Sequence, residues 1–290
     1  MQSYYEAINP EQIQQFITHG LAEDVRDGDH SALACIAADS RNSAVLKVKQ
    51  DGILAGVDIA KAVFLHVDPT ATVNIRQADG THIKKGDICL EVACNTRALL
   101  QAERLVLNTM QRLSGIATTS RRYTDLIADL PVKLLDTRKT TPLLRFLEKY
   151  AVRVGGATNY RYGLYDRIML KDNHIDAAGG ITEALARTVS YLRESGKKLE
   201  ITIEIRTLAE LELALRSGVS VQVMLDNFDL PKLREAVKLI DKRLPSEASG
   251  GITLETLRDY ALTGVDFISV GALTHSAGCL DLSLKIARAM

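Results

Sequence analysis

From residue 133 onward the chain alternates short apolar runs with longer amphipathic ones. Strand-like runs cover 132–136, 168–171, 201–205, 221–225 and 266–270. Helical runs cover 142–153, 182–195, 207–217, 230–243, 253–262 and 279–289. Strands separated by helices of this length predict a parallel sheet. Two weaker strands, near 151–155 and 245–249, bring the expected number to six or seven. Each strand-like run ends in polar or glycine-rich chemistry: Thr137, Arg138 and Lys139; then Lys171, Asp172, Asn173 and His174; then Glu204; then Asp226 and Asn227; then Ser249, Gly250 and Gly251; finally Gly271, Ala272 and Leu273. One such end is weak as a signal. The same placement in strand after strand predicts an α/β barrel with its site on one face.

The first third reads differently. Residues 9–23 suit a helix, with Asn9 as N-cap, Pro10 in the first turn and Ile13, Phe16 and Ile17 on one face. Glu23 to Asp29 reads as a polar turn. Between 33 and 95, short alternating runs are broken by Asp51-Gly52, Asp79-Gly80 and Lys85-Gly86-Asp87, with a helical stretch from Gly56 to Val67. Without βα alternation, this predicts a small α+β domain. Residues 96–128 read as a helix interrupted at Ser114-Gly115. The expected division is therefore 1–114 for the first domain and 115–275 for the barrel, with a C-terminal helix over about 276–290 packing back on the first. A chain of 290 residues accommodates a barrel of about 200–250 residues and a smaller companion.

Charge narrows the function. The chain carries 36 basic and 36 acidic side chains. Residues 133–174 hold nine basic against four acidic, so a neutral chain concentrates cations at the strand ends. That pattern suits a compact anionic ligand rather than nucleic acid. No apolar run is long enough to span a bilayer, and the first residues lack the basic and apolar regions of a signal peptide. Cys35, Cys89, Cys94 and Cys279 have no paired metal-type spacing and read as free thiols in a reducing cytoplasm. His19, His30, His66, His82 and His275 show no metal spacing either.

Three features suggest chemistry. Ser249-Gly250-Gly251 before a helix expected near Thr253 offers backbone N–H groups to a phosphate. Glu204 and Asp226 end neighbouring strands, where paired carboxylates suit a magnesium-bound polyphosphate or a developing sugar cation. Arg138, Arg161 and Lys171 are placed to grip carboxylates.

These blocks resemble a known family. Asp136-Thr137-Arg138-Lys139-Thr140-Thr141-Pro142, Leu147-Glu148-Lys149-Tyr150-Ala151-Val152 and Lys171-Asp172-Asn173-His174-Ile175 look like signatures of the quinolinate phosphoribosyltransferases, decarboxylating pentosyltransferases of NAD biosynthesis. Further matching blocks run from Glu23-Asp24 through Glu103-Arg104, Leu113 to Thr118, Leu225-Asp226-Asn227-Phe228 and Glu247 to Ile252, ending at Ser269 to Thr274. The resemblance implies an N-terminal α/β sandwich and an incomplete, TIM-like barrel of about seven strands. It implies a cytoplasmic homodimer with a shared site, joining quinolinate to phosphoribosyl pyrophosphate with Mg2+. Carried over by position, Arg138 and Arg161 hold the quinolinate carboxylates, beside Tyr160 and His174, with Arg104 arriving from the neighbouring subunit. Lys139, Lys171, Glu204 and Asp226 are the implied catalytic groups, and Glu204 and Asp226 serve magnesium directly or through the pyrophosphate or water. Thr137, Ser249, Gly250, Gly251, Gly271, Ala272 and Leu273 border the substrates, chiefly the 5′-phosphate.

The chain departs from the family pattern at three positions. Tyr160 stands where histidine is usual, Leu143 where glycine is common, and Thr202 where glutamate is frequent. Two other readings fit parts of the sequence: a barrel lyase using Lys171 as a Schiff-base nucleophile, and a non-catalytic paralogue that binds nucleotides.

Overall fold

The computed structural model describes residues 8–286. Helix α1 spans Pro10–Asp24 and α2 spans His30–Cys35. Strand β1 (Arg41–Val48), β2 (Gly52–Ile53), helix α3 (Val57–Val67), β3 (Thr72–Ile75), β4 (His82–Ile83) and β5 (Ile88–Asn95) lead into helix α4, Thr96–Asp125. Then β6 (Lys133–Leu135), α5 (Arg145–Val154), β7 (Ile168–Leu170), α6 (Asp172–Ala178), α7 (Ile181–Ser195) and β8 (Ile201–Ile205) follow. The last elements are α8 (Leu208–Arg216), β9 (Gln222–Asp226), α9 (Leu230–Ile240), β10 (Ser246–Ser249), α10 (Leu257–Ala261), β11 (Phe267–Ser269), α11 (Ala272–His275) and β12 (Leu282–Ile286).

The described residues form two compact units. One comprises 8–121, 141–156 and 276–286; the other comprises 122–140 and 157–275. The first is built on an antiparallel sheet ordered β12-β1-β5-β3, with a β2-β4 ribbon and α3 packed on β3 and β5. Ala44, Leu46 and Val48 alternate inward along β1, the period a half-buried antiparallel strand requires.

The second unit carries a six-stranded parallel sheet ordered β6-β11-β10-β9-β8-β7. All five residues of β8 are buried, as both-sides-covered parallel strands demand. The helices between strands have local reasons to start where they do. Asp229 accepts from Lys232 N at 2.9 Å at the head of α9, Pro231 occupies its first turn, and Leu233, Ala236 and Ile240 face inward.

Several expectations need correction. Helix α4 runs through Ser114-Gly115 without a break. Gly115 is there for contact: a β-carbon on it would lie 1.8 Å from Gly278 O. Ser114 Oγ accepts from Ala55 N at 3.0 Å and so fastens the helix to the chain after β2. Residues 151–155 are not a strand but the end of α5, and the pairing beside β6 is a single parallel bridge, Leu135 with Thr158. The C-terminal helix expected over about 276–290 is, in the described residues, strand β12, paired antiparallel with β1. Leu282 and Leu284 are buried at period two, and the edge of β1 supplies the hydrogen-bond partners. Residues 287–290 lie outside the described residues. Glu23 and Asp24 belong to α1 rather than to a turn, and Asp29 caps α2, its Oδ1 accepting from Ala32 N at 3.0 Å.

Candidate active site

The parallel register brings the C-terminal strand ends to one edge: Leu135 lies beside Ser269, Ser249 beside Asp226, and Leu225 beside Ile205. The loops leaving this edge carry the cationic, acidic and glycine-rich groups that the sequence singled out.

The cations come first. Arg138 is half-buried, and its Nε is enclosed without a hydrogen-bond partner. Arg161 is also half-buried, and its pKa is drawn down first by burial and then by the charge of Arg138. Two guanidiniums this close repel, and a buried donor without an acceptor costs about 1–3 kcal/mol. A bound carboxylate would relieve both. Lys139 is exposed, yet its stem lies against Gly271, where a β-carbon would approach Lys139 Cδ to 3.0 Å. Thr274 Oγ1 donates to Lys139 O at 2.9 Å, and Lys139 N donates to Thr137 Oγ1 at 3.1 Å.

The acids form the next group. Glu204, at the end of β8, is buried. Burial raises its pKa most, followed by the charges of Asp226 and Asp172, while Lys171 and Arg206 pull it back. Glu204, Asp226 and Lys171 therefore share one electrostatic neighbourhood. Lys171 is exposed and close to carboxylates, unlike the desolvated amine a Schiff-base lyase requires. Lys171 and His174 also cap α6: Lys171 N donates to His174 Nδ1 at 3.1 Å, and His174 N donates to Lys171 O at 2.9 Å.

The glycines make the third group. Gly250 has φ of 100° and Gly251 of 62°. A β-carbon at Gly250 would meet Asn227 Oδ1 at 2.1 Å, so only glycine lets this loop close on Asn227. Asn227 N donates to Ser249 O at 2.8 Å, joining the β9 and β10 ends. Helix α10 starts at Leu257, not near Thr253 as expected from sequence. A turn held by Thr253 N donating to Thr256 Oγ1 at 3.0 Å intervenes, so the loop and not a helix terminus follows the glycine pair. Ala272 and Leu273 begin the short α11 after Gly271.

Arg104 belongs to the first unit, on α4, with a side chain 66% exposed and Nη2 3.4 Å from Glu103 Oε1.

Tyr160 is the sharpest departure from expectation. Its hydroxyl lies 2.8 Å from Thr202 Oγ1 and accepts from Gln222 Nε2 at 3.2 Å. Gln222 Nε2 also donates to Glu247 Oε2 at 2.5 Å, and Glu247 Oε1 accepts from Ser269 Oγ. Arg167 Nη1 donates to Thr202 Oγ1 at 2.8 Å, its guanidinium is 5.2 Å from the Tyr160 ring centroid, and it pairs with Glu200. Burial, then neighbouring Glu247, pushes the Tyr160 phenol up, and burial pushes the Glu247 carboxyl up. The sequence singled out Tyr160 and Thr202 but not the cluster that joins them to Arg167, Gln222, Glu247 and Ser269. Its signal is parity: Thr202 with Glu204, Gln222 with Asp226, and Glu247 with Ser249 each sit two or four residues apart on otherwise apolar strands.

A cavity of about 420 Å3 lies at the other end of this sheet, lined by Arg167, Glu200, Ile201, Gln222, Pro245 and Phe267 among others. It touches the start of β8, β9 and β11, not the ends where the chemistry is gathered.

Comparison with known proteins decides the family. The model of the quinolinate phosphoribosyl transferase N-terminal domain matches residues 29–114, and that of the C-terminal domain matches residues 116–285. The chain belongs to the quinolinate phosphoribosyltransferase family. A chloroplastic nicotinate-nucleotide pyrophosphorylase (carboxylating) of Arabidopsis thaliana is 43% identical over 281 residues, 92% of this chain and 80% of the relative. A probable enzyme of the same name from Bacillus subtilis is 41% identical over 279 residues, 96% of this chain and 95% of the relative. A crystal structure of NadC from Streptococcus pyogenes superimposes with a TM-score of 0.91 at 38% identity, covering 97% of this chain and 99% of that one. The nicotinate-nucleotide pyrophosphorylase of Francisella tularensis gives 0.91 at 34% identity, covering 99% and 100%. Of the blocks singled out in the sequence, 136–142 and 171–175 follow β6 and β7, whereas 147–152 lies in α5.

Proposed function

We infer that this chain transfers phosphoribosyl from phosphoribosyl pyrophosphate to quinolinate with decarboxylation, forming nicotinate mononucleotide, pyrophosphate and CO2 in NAD biosynthesis. The observation that carries the reading is Arg138 beside Arg161, two half-buried guanidiniums with one buried donor unpaired. That is a receptor for a compact di-anion. Family membership names the di-anion.

The residues then divide the work. Arg138 and Arg161 hold the pyridine dicarboxylate, with Arg104 of the partner subunit closing the pocket of a homodimer. Lys139 and Lys171 face the negative charge of both substrates. The glycine turns at Gly250, Gly251 and Gly271, with Thr137, Ser249, Ala272 and Leu273, border the 5′-phosphate. As pyrophosphate departs, positive charge grows on the ribose ring, and the fixed carboxylates of Glu204 and Asp226 stabilise it. The pyridine nitrogen attacks that carbon. The nitrogen becomes positive and stabilises the electron pair left on the neighbouring ring carbon as the adjacent carboxylate departs as CO2, and a proton from water then completes the C–H bond there. Holding two polyanions in contact is the larger part of the task, and the basic excess of residues 133–174 suits it.

Magnesium fits this donor set. Among the described residues no group of three or more His, Cys, Asp or Glu side chains is arranged to hold a metal ion. Glu204 and Asp226 would hold it as a pair, with pyrophosphate oxygens and water completing the shell. Its contribution when bound is to neutralise the leaving pyrophosphate.

We read the six-stranded sheet, extended by the Leu135–Thr158 bridge, as an incomplete barrel of about seven strands. A cytoplasmic location is supported by four free cysteines. No described helix is long and apolar enough to cross a membrane. The test of function is turnover. Purified chain with quinolinate, phosphoribosyl pyrophosphate and magnesium should form nicotinate mononucleotide, and a folded protein that forms none overturns the reading. Mixing Arg104→Ala with Lys171→Ala, each inactive alone, should restore part of the activity through one intact shared site. Verified heterodimers that stay inactive would refute the sharing.

A further inference from the structure

We propose that Tyr160 is a positioning residue, turned away from the substrate into the sheet's polar interior, and that it sets the direction of Arg161 through the Tyr160–Thr202 hydrogen bond. The proposal rests on the functional reading above and assigns this residue a role other than bordering the dicarboxylate.

The segment carrying Arg161 is anchored from two sides. Thr158 N donates to Leu134 O at 2.8 Å, Asp136 N donates to Thr158 O at 3.1 Å, and Tyr160 N donates to Oδ1 of the fully buried Asp136 at 2.7 Å. These bonds fix the backbone next to β6. On the far side of Arg161 the carboxylate of Asp166 accepts from Tyr162 N at 2.6 Å and from Gly163 N at 2.9 Å. Between these backbone anchors Arg161 must hold a guanidinium beside the like charge of Arg138. The Tyr160 hydroxyl adds a side-chain anchor. It reaches Thr202 on β8 at 2.8 Å and Gln222 on β9 at 3.2 Å, and the ring stacks against Arg167. Backbone on one side and side chain on the other give Arg161 a defined exit. Guanidinium repulsion would otherwise favour separating the pair when no ligand is bound.

The hydroxyl is already engaged within the sheet. A phenol donates once and accepts through its lone pairs, and Thr202, Gln222 and Glu247 are its partners. Gln222 is held in turn by Glu247, which is buried and bonded to Ser269. Moving the ring toward the substrate would break each of these bonds in a buried site.

The test compares Tyr160→Phe, Thr202→Val, the double variant and Thr202→Ser in the full-length protein. Each single loss of the hydroxyl pair should raise KM for quinolinate about five- to tenfold, the factor one net hydrogen bond is worth. KM for phosphoribosyl pyrophosphate should stay within about twofold, and kcat should fall by less than about threefold. The double variant should raise KM by less than the product of the two singles, because both remove the Tyr160–Thr202 bond. Thr202→Ser keeps the hydroxyl and should behave as wild type. The proposal is overturned if Thr202→Val leaves the quinolinate KM unmoved while Tyr160→Phe raises it, which would make Tyr160 a direct ligand. It is also overturned if the variants only lower the melting temperature with both KM values unchanged, the result of plain core packing. A wild-type protein that forms no nicotinate mononucleotide would instead overturn the functional reading, and this proposal with it.

Discussion

Arg161 stands close enough to Arg138 that the second guanidinium, after burial, draws down the first one's hold on its proton, and Arg138 Nε has no partner among its neighbours. A pair of like charges held half-buried, only partly offset by Asp166, favours a ligand of opposite charge. Arg161→Ala should therefore raise the quinolinate KM by about tenfold to a hundredfold, the range for a lost charge-assisted hydrogen bond. KM for phosphoribosyl pyrophosphate should change little. Steady-state kinetics with each substrate varied checks both.

Glu204 links activity and stability in opposite directions. Burial and Asp226 raise its pKa above the ordinary glutamate value. The ionised form is the one that stabilises the ribosyl cation, so kcat/KM should fall as pH drops through that raised value. For folding, a raised carboxyl pKa favours the fold fully below the unfolded value, and that contribution is lost as pH rises through the folded one. Glu204→Gln should thus melt higher than wild type at neutral pH, with the gap closing in acid. Its kcat should fall about 10²- to 10³-fold. Calorimetry across pH, alongside rate measurements, reads both effects.

Gly250 holds a backbone conformation, φ 100°, that L side chains rarely adopt, and a β-carbon there would sit 2.1 Å from Asn227 Oδ1. Gly250→Ala should cost about 1–3 kcal/mol of stability. It should also raise KM for phosphoribosyl pyrophosphate more than KM for quinolinate. Denaturant unfolding with two-substrate kinetics separates the two losses.

Leu143 occupies the left-handed region at φ 65° with a side chain 94% exposed. It gives up nothing in packing if truncated. Replacing it by glycine should stabilise the protein by about 0.5–1 kcal/mol, the relief of left-handed strain less the added chain entropy. An upward shift of the thermal midpoint at unchanged activity is the expected record.

The parallel sheet was legible because buried strands and amphipathic helices differ in period, and β8 and α9 show the two patterns plainly. The polar residues that follow those strands were legible for the same reason, because each closes an apolar run. What stayed hidden had tertiary causes. Gly115 looks like a helix breaker, but its reason is Gly278. Leu280 to Ile286 has too few residues to separate strand from helix until β1 offers an edge. The partners of the Tyr160 hydroxyl, Thr202 and Gln222, are distant in sequence and come within reach only through the pairing of β8 and β9.

The most direct measurement is binding calorimetry of quinolinate against nicotinate, which lacks the carboxylate beside the ring nitrogen. The arginine pair predicts that quinolinate binds at least about tenfold more tightly, as expected when a second charge-assisted contact is made. Equal affinity for the two acids, or no binding of quinolinate by folded protein, would contradict the assignment of Arg138 and Arg161 as the dicarboxylate receptor.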